Sequence, residues 1–253
     1  MRFRQDSDIT LVVTSCGRFD LLKLTLESFD RFNTAPIREV FITEDSGDEA
    51  VHHVIPAGWK DHCTVFVNNP KLGQLASIDL AYSHVKTPYI FHCEDDWEFY
   101  RPAFVEDSKT ILELKPQILQ VWLRSYAYDL RIHSPYLHYG EREVVGGVAC
   151  YPVLSDKPEW QSFSLNPGLR RYKEYLLCAP FSGHGGEKAL SRRYADLNLT
   201  AVALEADAVL HTGFGTHVEV PEERQRKARR SRREKIKLVV VLLLGVAIGI
   251  VIN

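Results

Sequence analysis

The stretch Phe91-His-Cys-Glu-Asp-Asp-Trp-Glu-Phe-Tyr100 holds three consecutive carboxylates, Glu94, Asp95 and Asp96, among aromatic residues at the end of an apolar run. Adjacent carboxylates repel one another, so such a cluster needs solvent, backbone donors or a cation to neutralise it. Oxygen ligands in an incomplete shell suit Mg2+ or Mn2+ shared with a diphosphate, because these ions take one or two protein carboxylates and fill the rest with phosphate and water. The plain alternative is an exposed acidic loop. A further acid, Asp45 in Glu44-Asp-Ser-Gly47, is of a type to accept a hydrogen bond from a nucleobase N–H or a ribose hydroxyl, or simply to form a turn.

The elements that carry these acids decide between the readings. Ile9 to Val13 is a short β-branched run, followed by the breaker Ser15-Cys-Gly17 and by helical spacing from Asp20, read as an N-cap, to Phe29. Glu39 to Thr43 and Cys63 to Val67 predict two more strands, Gly73 to Val85 a helix, and Pro88 to His92 a strand running into the acids. Strands alternating with helices predict an α/β fold with a mostly parallel sheet flanked by helices. In such sheets ligands gather at the carboxyl ends of the strands, so the loops after the first, second and fourth strands belong on one edge. A helix from Pro102 to Lys115, with Pro in its first turn, and a strand from Ile118 to Leu123 follow. Arg124 to Cys178 has no clear period; beyond it come a loop at Phe181 to Gly186, a helix at Glu187 to Leu197 and a strand at Ala201 to Val209.

Four segments, Leu11-Val-Val-Thr-Ser-Cys-Gly-Arg-Phe-Asp-Leu-Leu22, Val40-Phe-Ile-Thr-Glu-Asp-Ser-Gly47, Asn69-Pro-Lys-Leu-Gly73 and Tyr89-Ile-Phe-His-Cys-Glu-Asp-Asp96, resemble in order and spacing the nucleotide-sugar-binding half of family 2 glycosyltransferases with the GT-A fold. Each is weak alone; the order makes the signal. The resemblance implies that Thr14 and Arg18 lie near the nucleotide, that Asp45 contacts the base or ribose, and that Glu94, Asp95 and Asp96 form a DxD-like element holding a divalent cation, with Asp96 the foremost ligand. It implies further that Glu187, after Gly-His-Gly-Gly, deprotonates the acceptor hydroxyl in a single inverting displacement of a nucleotide-diphosphate sugar. The chain departs from the pattern in three places. Glu187-Lys188 replaces Glu-Asp, so His184 is a rival base; Ser77-Ile78-Asp79 replaces Ala-Arg-Asn and removes a basic contact; Glu94 replaces the usual first Asp.

By the same resemblance His211 completes the metal shell, the alternative being a histidine bonded within a glycine-rich turn. The half that builds the family's acceptor site contains Trp160 and Asn166-Pro-Gly-Leu-Arg170-Arg171. These offer a ring to stack on a sugar and paired cations to clamp phosphate, or else a surface turn with a packed Trp. Two other functions fit part of the pattern. A nucleotidyltransferase needs a glycine-rich basic loop after the first strand, for which Thr14-Ser-Cys-Gly-Arg18 is too poor in glycine; a catalytically inactive sugar-nucleotide-binding scaffold would keep the acids without turnover.

The 253 residues are 45% hydrophobic and 25% charged, ordinary for a globular domain. The net charge of −2 hides a run, Glu222 to Lys237, with nine Lys/Arg against three Glu; the remainder is acidic and offers nucleic acid no footprint. Fifteen apolar or Gly residues follow, Leu238 to Ile252, spanning roughly 22 Å against a hydrocarbon core of about 30 Å. The sequence therefore predicts a GT-A domain over 1–221, a polybasic juxtamembrane linker over 222–237 and a single-pass C-terminal anchor over 238–253. The catalytic domain is then expected in the cytoplasm, with a glycan or lipid-linked acceptor at the membrane. Gly245 and Gly249 could pair two anchors into a homodimer. Five cysteines without CxxC spacing are expected to be reduced, and the Asn198-Leu-Thr200 sequon to be idle.

Overall fold

In the computed structural model, which describes residues 1–157, 160 and 163–214, the strand Ile9–Ser15 is buried along its whole length. Leu11 and Val13 pack into one core and Val12 into another. A strand apolar on both faces belongs inside a sheet covered on both sides, and for this reason the sequence shows a continuous run instead of an alternation.

The main elements are Ile9–Ser15 (β1), Phe19–Phe32 (α1), Glu39–Glu44 (β2), Cys63–Val67 (β3), Gln74–His84 (α2), Tyr89–Glu94 (β4), Trp97–Phe99 (β5), Phe104–Leu114 (α3), Ile118–Trp122 (β6), Val148–Ser155 (β7), Gly168–Arg171 (β8), Glu187–Asp196 (α4), Thr200–Leu204 (β9) and Val209–His211 (β10). The first of two five-stranded sheets has the order β8-β4-β1-β2-β3, parallel except for β8. Helices α1 and α3 cover one face through Leu22, Leu26, Phe29, Phe104 and Ile111; α2 and α4 cover the other through Ile78, Tyr82, Leu190 and Tyr194. This is the α/β layering the alternation of elements implies. Asp20 is not the cap of α1: the N-cap is Arg18, and Asp20 lies in the first turn, where its charge favours the helix N-terminus. At α3, Ala103 takes a φ of 61° and the helix starts after it, leaving Pro102 outside.

The segment without a clear period builds a second sheet. Glu143–Val145, β7, β9 and β6 lie side by side, antiparallel except for the β9–β6 pair. The single strand expected over Ala201 to Val209 is two, because the chain turns at Glu205, whose carboxylate holds both Arg142 and the Tyr151 hydroxyl. Gly168 lets β8 run close to β6: a Cβ there would sit 2.8 Å from the Val121 carbonyl oxygen. Opposite Gly168, His92 is wholly buried with neither ring nitrogen bonded, and burial, reinforced by the charge of Arg170, holds it well below the usual imidazole range. It is therefore a neutral core side chain.

Met1–Gly213 form one compact unit. The expected linker over 222–237 and anchor over 238–253 lie outside the described residues, and with them the membrane, homodimer and localisation expectations. Among the described residues no helix is long and apolar enough to cross a membrane.

Candidate active site

The parallel register sets Ser15 opposite Glu44 and Thr14 opposite Glu94, so the loops after β1, β2 and β4 meet at one edge. There Asp95 accepts the Cys16 N–H at 3.3 Å and Arg18 Nε at 3.2 Å, and a second nitrogen of Arg18 pairs with its other oxygen. Arg18 Nη1 also reaches Asp96 Oδ2 at 2.8 Å. One guanidinium thus bridges both aspartates.

Asp96 has a further neighbour from the far end of the chain. Strand β10 pairs antiparallel with β5, with His211 opposite Trp97, and His211 Nε2 lies 3.3 Å from Asp96 Oδ2. The Trp97 ring lies tilted against the imidazole, 4.7 Å between centroids, and Arg124 covers Trp97 at 5.4 Å. Gly213 packs so tightly on the Asp96 carboxylate that no Cβ fits. Burial opposes the charge of Asp96, but hydrogen bonding from His211 and the Arg18 charge outweigh it and hold this carboxyl below its usual range. Glu94 behaves in the opposite way. It accepts Gln74 Nε2 at 2.7 Å and Trp97 Nε1 at 3.4 Å, yet burial, and then the charges of Asp96, Glu187 and Asp95, push it up to about 8.

Asp45, the residue after β2, is engaged by four protein donors. Its Oδ1 accepts Asn68 Nδ2 at 3.0 Å, the Leu72 N–H at 2.8 Å and the Ser77 hydroxyl at 3.1 Å; its Oδ2 accepts the Gly73 N–H at 2.9 Å. It ties the loop before α2 to the β2 edge. Glu44 does the same for the β1 loop, accepting Gly17 N–H at 2.9 Å and Ser46 N–H at 2.8 Å on Oε1, while its buried Oε2 has no partner. Neither Glu44 nor Gln74 is evident from sequence patterning. The available signals were slight: Glu44 is the last residue of its strand and Gln74 the first of its helix.

Glu187 stands at the first position of α4, after Gly186 at φ 113°. Its Oε1 accepts the Leu165 N–H at 3.3 Å, and burial raises its carboxyl above the usual range against the Leu165 and Ser164 hydrogen bonds and the charges of Arg170 and Arg124. It is near enough to Glu94 for its charge to help raise that carboxyl. His184 is engaged elsewhere, its Nε2 2.9 Å from the Cys178 carbonyl, which makes that nitrogen the protonated one. Asp79 accepts the Tyr175 hydroxyl and the Phe181 and Ser182 N–H groups, anchoring α2 to the loop before Glu187.

The arginine pair is neither a surface turn nor an open clamp. Both arginines are buried in β8: Arg170 donates to the Ser164 and Asn166 carbonyls, and Arg171 to those of Ile118, Leu112, Lys115 and Pro116 and to Glu174. Guanidiniums so placed are held mainly by buried backbone oxygens and do not face a surface phosphate; the Arg170 Nε, also buried, has no partner among the described residues. Trp160 lies apart, its ring 6.5 Å from that of Tyr136. All five cysteines are free.

Among the described residues no group of three or more His, Cys, Asp and Glu side chains forms a metal centre. The candidate set is the pair Asp96 and His211, one oxygen and one nitrogen donor converging on one side of β5. It fits a divalent ion that would draw its other ligands from outside the protein.

No protein-family profile and no curated protein sequence matches the chain. Solved structures do. The chain is similar to a mannosyltransferase of Pyrobaculum calidifontis, PcManGT, in complex with GDP-Man and Mn2+, at TM-score 0.57 and 12% identity over 79% of this chain and 56% of that one. It is similar to S. aureus TarS 1-349 at TM-score 0.56 and 14% identity, over 84% and 61% of the two chains. GalNAc-T7 with UDP, GalNAc and Mn2+ matches at TM-score 0.55 and 11% identity, over 80% of this chain and 43% of that one. The mixed α/β fold is therefore that of GT-A-type glycosyltransferases, and the chain spans little more than half the length of the first two.

Proposed function

We propose that the chain is a glycosyltransferase that moves a sugar from a nucleoside-diphosphate donor to an acceptor hydroxyl, with family 2 chemistry. The observation that carries this reading is the convergence of Glu94, Asp95 and Asp96 with the β1 and β2 loops at one sheet edge, with Glu187 close by on a helix that begins there. A GT-A fold adds support.

In this reading the nucleotide lies along the loops that Glu44 and Asp45 hold in place, near Thr14 and Arg18, and its diphosphate meets Asp95 and Asp96 through Arg18. Asp96 and His211, with Glu94 beside them, would hold a divalent cation, Mn2+ or Mg2+, whose contribution is to stabilise charge on the leaving diphosphate. Glu187 is the base: a carboxylate raised by burial is a better proton acceptor than a solvated one. The acceptor oxygen attacks the anomeric carbon, its proton passes to Glu187, and the bond from that carbon to the diphosphate oxygen breaks with its electron pair, inverting the centre.

The basic run and apolar tail favour attachment at the cytoplasmic membrane face, and with it a lipid-linked or glycan acceptor and tail-to-tail pairing of two copies. The test is a panel of nucleotide sugars with Mg2+ and Mn2+, scored for transfer and for release of nucleoside diphosphate. Metal-stimulated release from at least one donor is the expected outcome. No release from any donor would overturn the reading, and donor binding without release would favour an inactive sugar-nucleotide-binding protein.

A further inference from the structure

Arg18 Nη1 and His211 Nε2 both address the same oxygen, Asp96 Oδ2, at 2.8 and 3.3 Å. A divalent ion held by Asp96 and His211 would therefore have to share that carboxylate with a guanidinium already on it. From this we infer that Arg18 makes cation binding conditional on the diphosphate: without a nucleotide it holds the aspartate pair and opposes a metal ion, and with one it turns a nitrogen from Asp96 to a phosphate oxygen, so that cation and diphosphate bind together.

The charges favour this order. Asp95 and Asp96 bridged by Arg18 carry one net negative charge, whereas the unbridged pair carries two. A divalent ion approaching the bridged pair meets a fixed positive charge in a site shielded from solvent, where Coulomb forces are several times stronger than in water. A diphosphate between ion and guanidinium turns that repulsion into two attractions. The geometry allows the exchange without losing the anchor. Arg18 keeps two nitrogens on Asp95, so only its contact with Asp96 must change, and its side chain is 20% exposed while those of Asp95 and Asp96 are 2% and 6%. It also stands at the N-terminus of the 14-residue α1, where the backbone favours an anion. A guanidinium is suited to the exchange because its planar fork serves a carboxylate and a phosphate alike.

The inference rests on the donor reading above, and the experiment separates the two. The full chain and an Arg18→Gln variant are titrated with Mn2+, with and without UDP or GDP, and free Mn2+ is followed by its EPR signal, corrected for Mn2+ bound by free nucleotide. Wild type should bind Mn2+ alone weakly and at least about tenfold more tightly with a nucleoside diphosphate; R18Q should bind Mn2+ alone about tenfold more tightly than wild type and lose most of the nucleotide's effect. Equal affinity of the two proteins for Mn2+ alone, with nucleotide-dependent binding kept, overturns the inference and leaves the donor reading standing. Absence of any Mn2+ or nucleotide binding overturns both. Should R18Q fail to fold, Arg18→Lys carries the test: it keeps the charge without the fork, so it should bind Mn2+ alone no more tightly than wild type while losing nucleotide enhancement. Full enhancement in R18K would overturn the inference.

Discussion

Glu187 is a buried carboxylate whose charge helps raise that of Glu94, and this gives a Glu187 variant a distinct signature. Replacing Glu187 by Gln should cut kcat by about 10²- to 10³-fold with little change in the donor KM, since it removes proton transfer and not donor contacts. Burial raises the Glu187 carboxyl, so its ionised, active form is lost as pH falls through that raised value. The wild-type rate should accordingly decline on the acid side, and that limb should vanish from the residual rate of E187Q. The same change removes a negative neighbour of Glu94, whose carboxyl, pushed up to about 8, should titrate at lower pH in E187Q when followed by carboxyl 13C NMR. Asp45→Asn should destabilise the protein by about 1–3 kcal/mol in urea unfolding, because an amide presents donors to a site that supplies four. The acids themselves were legible because a strand end locates them. The bridging by Arg18, the anchoring by Glu44 and the saturation of Asp45 were not, since each depends on strand register and side-chain direction, which a one-dimensional pattern does not contain.

At the scale of elements, β8 is the connection between the two sheets. It completes the first sheet against β4, and Arg171 reaches from it to carbonyls at the end of α3 and the start of β6. Arg171→Leu removes the donor shared by four backbone carbonyls and the buried Glu174 carboxyl, which burial already pushes up to about 7, and should cost about 3–5 kcal/mol by denaturant unfolding; adding Glu174→Leu should recover a substantial part of that loss. The parallel strands β1, β2 and β4 could be read from sequence because strands buried on both faces appear as uninterrupted apolar runs. The strands between Leu137 and Arg171 could not. They are mostly half-buried and, apart from the tight hairpin of Glu143–Val145 on Val148–Ser155, depend on partners far along the chain, as Val148–Ser155 does on Thr200–Leu204 and Gly168–Arg171 on Tyr89–Glu94, so their identity follows from pairing and not from any local period.

Over the whole molecule, the acidic body and the basic, apolar tail call for separate tests. The full chain should float with vesicles containing anionic lipid, and a chain ending at Pro221 should remain in solution while still binding nucleoside diphosphate; flotation of the shortened chain would remove the tail from the membrane proposal. The place of β8 has a further consequence, in time. The four parallel strands of the donor half are complete by Glu94, but the fifth place in their sheet is filled only by Gly168–Arg171. During synthesis the nascent donor half thus leaves the ribosome with an open, apolar edge at β4, and closes only after more than seventy further residues have been added. Until then, the strand that carries the acids is the one most exposed to wrong partners.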